Sequence, residues 1–349
     1  MGATRGMGAM SRPASELPAV ELDRVVRTFS SGSAADPIVA VEELSVAVAQ
    51  GEVVGLLGPN GAGKSTVIGM MCGLITPTSG RVLVEGFDVV RERRRIARRV
   101  GVVFDGARTL YPRMTPRENI HYFTALRGGG GARSVASSAA YWIDFFAIGK
   151  WADVPVNNLS MGTRQKASLA VALAAGPRLI LMDEPTLGLD VGSSLDLQEV
   201  IRSMARDRGC SVVIATHQMD VAQRVCDRVC IMSDGKALAI DTVQGLLRVF
   251  GLRSYRVALR KPLTCEARAM LRQACAGSVE YPETGATGDL VVDIGLDDES
   301  GLLPAMAALQ RAGAEVESVV RREPCLADAF LEITGTGRRP RANVSCALV

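Results

Sequence analysis

The sequence predicts an α/β fold with a largely parallel central sheet, followed by a smaller domain of the α+β class. The first indication is that strand-like apolar runs alternate with helical patterns between residues 20 and 245. The second is that the runs VVGLL, LILM and SVVIA are apolar throughout, as strands buried on both faces of a sheet usually are. The third is a change of pattern after about residue 250, which indicates a separate folding unit.

The predicted elements follow from these patterns in chain order. Strands of the first domain are expected at 20–26, 39–47, 52–57, 81–84, 100–104, 179–182, 212–215 and 228–232. Helical segments around a glycine-rich break predict a helical insertion at about 113–158. After residue 250, strands in SYRVALR, DLVVDIG and EVESVVRR and helices in CEARAMLRQA, LLPAMAALQRA and LADAFLEIT are consistent with a split βαβ unit. The predicted domains are therefore 20–248 and 252–335, with a disordered leader at 1–19 and a disordered tail at 336–349.

Composition argues against several classes of protein. The net charge is only +3 and aromatic residues make up 4% of the chain, so neither a basic surface nor base stacking points to a nucleic-acid partner. The eight cysteines form no C-x-x-C pair, which favours reduced thiols over a disulfide framework or a zinc site. We expect no secretion signal and no membrane-spanning segment, because the chain has neither a suitable apolar leader nor 18 consecutive apolar residues.

Residues 58–66, GPNGAGKST, carry the strongest functional signal. They lie between the strand EVVGLL and a helical segment, which is the context that a phosphate-binding P-loop requires. Glycines let the backbone N–H groups of such a loop converge on phosphate oxygens beside the positive end of a helix dipole. Lys64 would then reach the β- and γ-phosphates, and the Ser65 hydroxyl would ligate Mg²⁺. The expected nucleotide-binding residues of the loop are Gly58, Pro59, Asn60, Gly61, Ala62, Gly63, Lys64, Ser65 and Thr66.

Two adjacent acids end a second buried strand, in LILMDEPT (179–186). Carboxylates at such a position lose hydration unless a cation accompanies them, and a magnesium nucleotide would supply one. We expect Asp183 to hold Mg²⁺ directly or through water, and Glu184 to act as the general base on the attacking water.

Together with the P-loop and the acid pair, the segment LSMGTRQK (159–166) resembles the signature motif of the ATP-binding subunits of ABC transporters. The resemblance covers residues 20–245, and the motifs occur in the order found in that family. Ser160 and Gly162 fall where the signature contacts the γ-phosphate bound by the opposite subunit. The segment departs from the usual pattern at Met161, where glycine is common, and at Thr163, where glutamine is usual.

Two further segments extend this resemblance. LGLD (187–190) resembles the D-loop and places Asp190 at the seam between two subunits. ATHQMD (215–220) resembles the switch region, in which His217 would contact the γ-phosphate and the attacking water. The implied fold is a P-loop ABC-type ATPase domain with a helical subdomain.

Two residues have open interpretations. Phe29 is either the aromatic side chain that family members stack on adenine or an ordinary core phenylalanine. Asp105 follows the strand VGVVF, where most of the family has a glutamine that approaches Mg²⁺. Its carboxylate either takes the glutamine's place on the metal or caps the Asp-Gly turn that follows.

The resemblance implies an ATP hydrolase that binds ATP and Mg²⁺, pairs head to tail with a second ATPase subunit (a homodimer), and drives a separately encoded transmembrane permease from the cytoplasmic side of the membrane. REPCLADAFLEITG (322–335) resembles the ending of drug- and antibiotic-resistance exporters of the daunorubicin-resistance type, so we expect export of a drug, antibiotic or other hydrophobic molecule. The alternatives are an importer ATPase, a polysaccharide or lipid exporter, a soluble ABC ATPase acting on DNA or ribosomes, and a regulatory module with little hydrolysis.

Overall fold

The computed structural model describes residues 17–30, 37–104, 109–128, 132–250, 253–275, 279–281, 291–296, 301–322 and 325–335. The chain divides into two compact units, with the boundary between Val243 and Gln244. Residues 1–16 of the predicted leader and the predicted tail, 336–349, lie outside the described residues. Residues 17–19 of the leader lead into the first strand, and Ala19 N–H donates to the carbonyl of Val48 at 2.8 Å.

The first unit contains ten strands among its described residues. In chain order they are β1 (Val20–Phe29), β2 (Ile38–Val48), β3 (Val53–Leu57), β4 (Ser79–Val84), β5 (Phe87–Asp88), β6 (Val100–Val103), β7 (Leu179–Asp183), β8 (Ser211–Thr216), β9 (Arg228–Ser233) and β10 (Lys236–Thr242). The helices that accompany them are α1 (Lys64–Met71), α2 (Arg93–Ala97), α3 (Pro116–Leu126), α4 (Ala132–Phe145), α5 (Met161–Leu173), α6 (Val191–Arg208) and α7 (Met219–Val225), and α8 (Val243–Phe250) follows at the unit boundary.

A six-stranded sheet in the order β10-β9-β3-β8-β7-β6 forms the centre of this unit. All of its strand pairs are parallel except the pair of β9 and β10. Every residue of β3, β7 and β8 is buried, which explains why these runs are apolar throughout. This arrangement confirms the predicted α/β class with a parallel core.

A second, antiparallel sheet in the order β2-β1-β4-β5 packs on the first. The alternating burial along β1 shows that one face of this sheet is covered and the other meets solvent. Apolar side chains of both sheets and of α1 form one core, which includes Val25, Leu44, Leu56, Ile68 and Leu181. The sequence pattern predicted β1, β2 and β4, but it predicted neither β5 nor the separation of these strands into a sheet of their own.

Helices α3 to α5 occupy the region of the predicted helical insertion and the signature segment. Helix α3 begins at a capping box, in which Thr115 and Glu118 satisfy each other's backbone N–H groups. Helix α5 begins after Ser160, whose hydroxyl accepts a hydrogen bond from Thr163 N–H. Short 3₁₀ turns at Gly149–Trp151 and Val156–Asn158 connect α4 to α5.

The second unit is a small α+β domain, as predicted. Its elements are β11 (Arg253–Leu259), α9 (Cys265–Ala274), β12 (Val279–Glu280), β13 (Val291–Leu296), α10 (Leu302–Arg311), β14 (Val316–Arg321) and α11 (Leu326–Ile333). The antiparallel sheet order β12-β13-β11-β14 separates the two strands of each β-α-β crossover by a third strand, which is the split βαβ arrangement. Apolar residues of β11, β13, α9 and α10 form its core. Among the helices of the described residues, none combines the length and the apolar character needed to cross a lipid bilayer.

Candidate functional site

Three neighbouring parallel strands bring the predicted catalytic segments to one edge of the central sheet. Strand β8 lies between β3 and β7, with Leu57 paired to Thr216 and Asp183 paired to Ala215. The glycine-rich loop follows β3, the acid pair ends β7, and His217 follows β8. The carboxyl ends of parallel strands are the usual place for ligands in α/β sheets, because the loops that follow them share one edge.

The loop at residues 58–66 has glycine where neighbouring strands approach its backbone most closely. Gly63 lies directly before α1 with a φ of 94°, and a Cβ at this position would lie 2.3 Å from the carbonyl oxygen of Ala40 in β2. A Cβ on Gly58 would likewise lie 2.3 Å from the carbonyl oxygen of Met232 in β9. Any larger residue would push the loop away from the sheet, so these glycines fix its path.

Lys64 is the buried cation of the site, with 5% of its surface exposed. Its Nζ donates to the carbonyls of Gly58 at 2.7 Å and Pro59 at 3.0 Å, and it lies 3.9 Å from Glu184 Oε1. Burial lowers the pKa of Lys64, while the charges of Glu184 and Asp183 act in the opposite direction. The ammonium group is thus held over the loop between backbone carbonyls and the acid pair.

Ser65 and Asp183 form the oxygen pair that the sequence assigns to a metal. Ser65 Oγ donates to Asp183 Oδ1 at 3.0 Å, and Asp183 is only 9% exposed. This pair fits Mg²⁺, which usually keeps several waters and takes one or two protein oxygens together with substrate phosphates. Within the part of the chain that is described, no group of three or more His, Cys, Asp or Glu side chains gathers as a metal site. Asp105, the third predicted ligand, lies outside the described residues.

Glu184 has the most unusual backbone in the site. Its φ is 46°, a left-handed value that is strained for a residue other than glycine, and its N–H donates to the carbonyl of Ala215 at 2.8 Å. Its Oε1 lies 2.8 Å from His217 Nδ1, and its Oε2 accepts a hydrogen bond from Thr216 Oγ1 at 3.1 Å. The carboxylate therefore has a fixed direction, and the imidazole is adjacent to it.

Thr216 was not among the residues that sequence reasoning selected. The available signal was its place as a polar residue at the end of the all-buried strand β8, directly before His217. A buried hydroxyl at that point needs a hydrogen-bond partner, and the acid pair at the end of the neighbouring strand offered one.

The remaining predicted residues lie at the neighbouring starts of α5 and α6 and at the end of β1. Ser160 and Gly162 are at the start of α5, and Asp190 caps α6, where its carboxylate accepts hydrogen bonds from Ser193 N–H at 2.9 Å and Ser193 Oγ at 2.8 Å. These bonds lower the pKa of Asp190, the backbone bond having the larger effect. A Cβ on Gly162 would lie 2.8 Å from Ser193 Oγ, so the two helix starts are in close contact.

Phe29 ends β1, where it pairs with Ile38, two residues before the Ala40 carbonyl that approaches Gly63. Its surface is 37% exposed, and the Arg27 guanidinium lies 4.3 Å from the centre of its ring. The ring is therefore accessible from solvent at the end of the sheet nearest the phosphate-binding loop.

Comparisons with known proteins relate the chain to one family. Residues 41–187 match the family described as ABC transporter. The chain is 32% identical over 304 residues to the daunorubicin resistance ATP-binding protein DrrA3 of Streptomyces coeruleorubidus, covering 86% of this chain and 92% of that protein. It is also 32% identical over 341 residues to the Nod factor export ATP-binding protein I of Sinorhizobium fredii, covering 96% of this chain and 91% of that protein.

A solved structure shows the same fold in the first unit. The dimeric, post-hydrolysis ATP-binding cassette MJ0796, bound to ADP and Pi, superposes with a TM-score of 0.60 at 26% identity, covering 64% of this chain and 98% of that one. The loop and the acid pair both lie within residues 41–187, the part of the chain that matches the family. The chain therefore belongs to the ABC transporter family of ATP-binding ATPases, in the branch of the daunorubicin-resistance and Nod-factor-export proteins.

Proposed function

We propose that this chain binds and hydrolyses Mg-ATP as one of two ATPase subunits that power an ABC exporter from the cytoplasmic face of the membrane. The observation that carries the proposal is the single cluster formed by Lys64, Ser65, Asp183, Glu184 and His217 at the carboxyl edge of three adjacent strands. Phosphate-binding, metal-binding and proton-accepting groups meet there, and phosphoryl transfer needs all three.

The loop at residues 58–66 would take the phosphates on its backbone N–H groups, and Lys64 would leave its own loop carbonyls for the β- and γ-phosphates. Ser65 and Asp183 would hold Mg²⁺, which when bound neutralises charge on the phosphate oxygens. Because Lys64 is already dehydrated, its charge acts on the phosphates with little screening by water.

Glu184 is the proposed general base. Its carboxylate would accept a proton from a water molecule that attacks the γ-phosphorus, while ADP leaves on the opposite side. Thr216 and His217 would keep the carboxylate directed at that water. The strained backbone of Glu184 is consistent with such a role, because active sites are one of the places where residues with unfavourable φ values cluster.

Ser160, Gly162 and Asp190 would act on a second chain. Gly162 and Asp190 lie close together because both approach Ser193, and the family resemblance places the signature at the γ-phosphate bound by the opposite subunit. The dimeric state of the related cassette MJ0796 supports a pair of chains. We propose a homodimer with two ATP molecules at its interface.

Export is favoured over import by the extent of the similarity. The aligned 304 and 341 residues of the two export and resistance relatives exceed the first unit, which ends at Val243, so the likeness includes the second unit. The cargo class we propose is a drug, antibiotic or other hydrophobic molecule, carried by a separate transmembrane permease. An importer, or an exporter of polysaccharide or lipid, is the alternative.

Phe29 and Asp105 keep the roles proposed from the sequence. The accessible ring of Phe29 would stack on adenine, its location beside β2 and the P-loop being the support for this assignment. Asp105, two residues beyond β6, would contact Mg²⁺ in place of glutamine, and the turn cap is the alternative. Metal titration of Asp105→Asn separates the two, because only a ligand role predicts weaker Mg²⁺ dependence while ATP still binds.

The catalytic proposal is tested with Glu184→Gln, which removes the base without changing the size of the side chain. We expect ATPase activity to fall by about 10² to 10⁴-fold, while ATP binding persists and the protein accumulates as an ATP-dependent dimer on a sizing column. Glu199→Gln, on an exposed face of α6, is the matched control and should hydrolyse ATP as the wild type does. Equal rates for Glu184→Gln and wild type would refute the assignment.

The partner is tested by purifying the tagged full chain from solubilised membranes and identifying the membrane protein that accompanies it. Recovery of a permease whose drug efflux depends on Glu184 supports export. Recovery with a substrate-binding uptake system, or with DNA or ribosomes in the soluble fraction, would contradict it.

A further inference from the structure

Helix α5 closely approaches α6 and the LGLD segment that precedes it at three successive levels. The first is between Met161 and Gly188, where a Cβ on the glycine would lie 3.7 Å from Met161 Cε. The second is between Gly162 and Ser193, where a Cβ on Gly162 would meet Ser193 Oγ at 2.8 Å and Ser193 Cβ at 3.2 Å. One turn further along both helices, Lys166 Nζ donates to Asp196 Oδ2 at 2.8 Å.

Ser193 is the central residue of this junction, because it contacts both segments at once. Its N–H and Oγ each donate to one oxygen of Asp190, which fixes the carboxylate against the first turn of α6. The same Oγ fills the space that a side chain at position 162 would need. Glycine weakens a helix, so its presence at the start of α5 is explained by this close approach.

Met161 stands where the usual signature pattern has glycine, and this difference changes the local packing. The side chain lies against Gly188, which has a φ of 74° and forms part of the LGLD segment. A glycine at position 161 would leave that contact out and leave the LGLD segment less tightly packed. The substitution therefore adds a connection between the signature and the D-loop within one chain.

We propose that Met161, Ser193 and the Lys166–Asp196 ion pair are positioning residues that hold the signature segment and the Asp190 loop at a fixed separation, so that both reach the second chain's nucleotide together. This inference rests on the proposed ATP-driven dimer and adds to it the residues that set the geometry of the donor surface. None of the four need touch ATP. They act through Ser160, Gly162 and Asp190.

Charge reversal provides the test, because Lys166 and Asp196 keep part of their surface in water, with 24% and 61% of the side chain exposed. Lys166→Glu and Asp196→Lys are each expected to lower kcat about tenfold, since small misplacements of positioning groups have large effects on rate. KM for ATP and the affinity of the isolated chain for a fluorescent ATP analogue should change less than twofold, because the P-loop is untouched. The double variant restores the pair with reversed charges and should recover most of the lost kcat.

Glu199→Lys is the matched control, a charge reversal on an exposed face of the same helix, one turn beyond Asp196. It should leave kcat within twofold of wild type, as should Met161→Leu, whereas Met161→Gly should lower kcat. Single reversals that leave kcat unchanged, or a double variant as slow as the singles, would overturn the proposal. These outcomes are separate from failure of the proposed function, which would appear as absent ATPase in the wild type or an absent ATP-dependent dimer in Glu184→Gln.

Discussion

Glu184 in the first unit and Asp293 in the second are acids with similarly low exposure but different surroundings. The Glu184 side chain is 13% exposed and the Asp293 side chain 10% exposed, and cations lie close to both. Asp293 sits in the middle of β13, where Arg256, its partner across the strands, donates to both carboxylate oxygens at 2.8 Å. Arg322 adds a third hydrogen bond at 3.1 Å. The hydrogen-bonding capacity of this carboxylate is thus met by guanidinium groups, and its backbone is that of a regular strand.

Glu184 differs in its backbone and in the nature of its partners. It lies just past the end of a strand in a left-handed conformation, bonded to a hydroxyl and an imidazole, and the nearest ammonium is 3.9 Å away. These interactions are weaker than the paired hydrogen bonds that Asp293 receives from Arg256. The comparison teaches that low exposure alone does not single out the acid that is proposed as the general base. Backbone strain and weaker interactions beside a phosphate-binding loop distinguish Glu184 from Asp293.

Among the variants that test this comparison, Gly63→Ala, in the loop beside Glu184, is expected to lower the stability of the protein most. The new Cβ would lie 2.3 Å from the carbonyl oxygen of Ala40, and the alanine would also have to adopt a φ of 94°. We expect the free energy of unfolding to fall by more than about 3 kcal/mol, because backbone atoms cannot yield as a flexible side chain can. Urea denaturation without nucleotide measures the change.

Gly61→Ala is the matched control for the steric part of this effect. Its φ is 88°, but a Cβ there would have no neighbour within 4 Å, so only the backbone strain of about 1–2 kcal/mol is expected. Equal losses for the two variants would show that the approach of β2 does not restrict the loop.

The sequence predicted which segments would meet at one edge of the sheet, because they are short and follow recognisable strands, and the roles of their residues stay predictions. The glycines, Lys64 and the acid pair could be placed on one edge since each follows an all-apolar run, and parallel strands end at a common edge. The strain at Glu184 could not be predicted, since it depends on how β7 and β8 lie side by side. The place of Thr216 at the end of β8 was a signal that a buried hydroxyl needs a partner, but its bond to Glu184 depends on the same strand pairing. The same limit applies to Ser193, whose contact with Gly162 joins residues 31 positions apart.

The strands likewise include some that the sequence could have predicted and some that it could not. Strand β10 was missed although Asp234-Gly235, with φ values of 49° and 81°, forms a turn between β9 and β10, and Asp-Gly between apolar runs is a strong hairpin signal. The two-residue strand β5 has too little pattern to detect. The separate antiparallel sheet depends on pairing between strands distant in sequence, which periodicity along the chain does not specify.

A smaller effect is expected in the second unit from Asp293→Asn, which removes the charge with little change in size. The arginines that lose it are 48% and 34% exposed in their side chains and can be partly hydrated. We therefore expect a loss of about 2 kcal/mol, the scale of hydrogen bonds to charged groups, and not the larger cost of a fully buried pair. Calorimetric unfolding measures the loss, and ATP affinity should stay within twofold of wild type.

Glu317→Gln on the exposed strand β14 is the control for the Asp293 variant and should leave the unfolding transition in place. A large loss of ATP binding in Asp293→Asn would show that this acid is not purely structural, and the contrast with Glu184 would fail.

The smallest effect on stability at neutral pH is expected for the cysteine thiols. They extend the comparison to buried groups that carry no charge. Burial raises the pKa of the Cys230 thiol to about 12, so in the folded protein it stays neutral up to strongly alkaline pH. Cys230 is 0% exposed, whereas Cys265 is exposed at the start of α9. Iodoacetamide at pH 8 should therefore modify Cys265 quickly and Cys230 only as the protein unfolds, as peptide mass analysis at timed intervals would show.

The raised pKa of Cys230 also has a consequence for stability. An unfolded thiol ionises near pH 9, so above that pH the unfolded state binds fewer protons than the folded state. The contribution of this group is fully present below pH 9 and is lost as pH rises towards 12. Cys230→Ala should reduce the alkaline loss between these limits, in denaturation measured at pH 8 and pH 10. Rapid labelling of Cys230 at pH 8 would mean that β9 opens readily, and an unchanged slope would mean that ionisation of this thiol does not contribute to the alkaline loss.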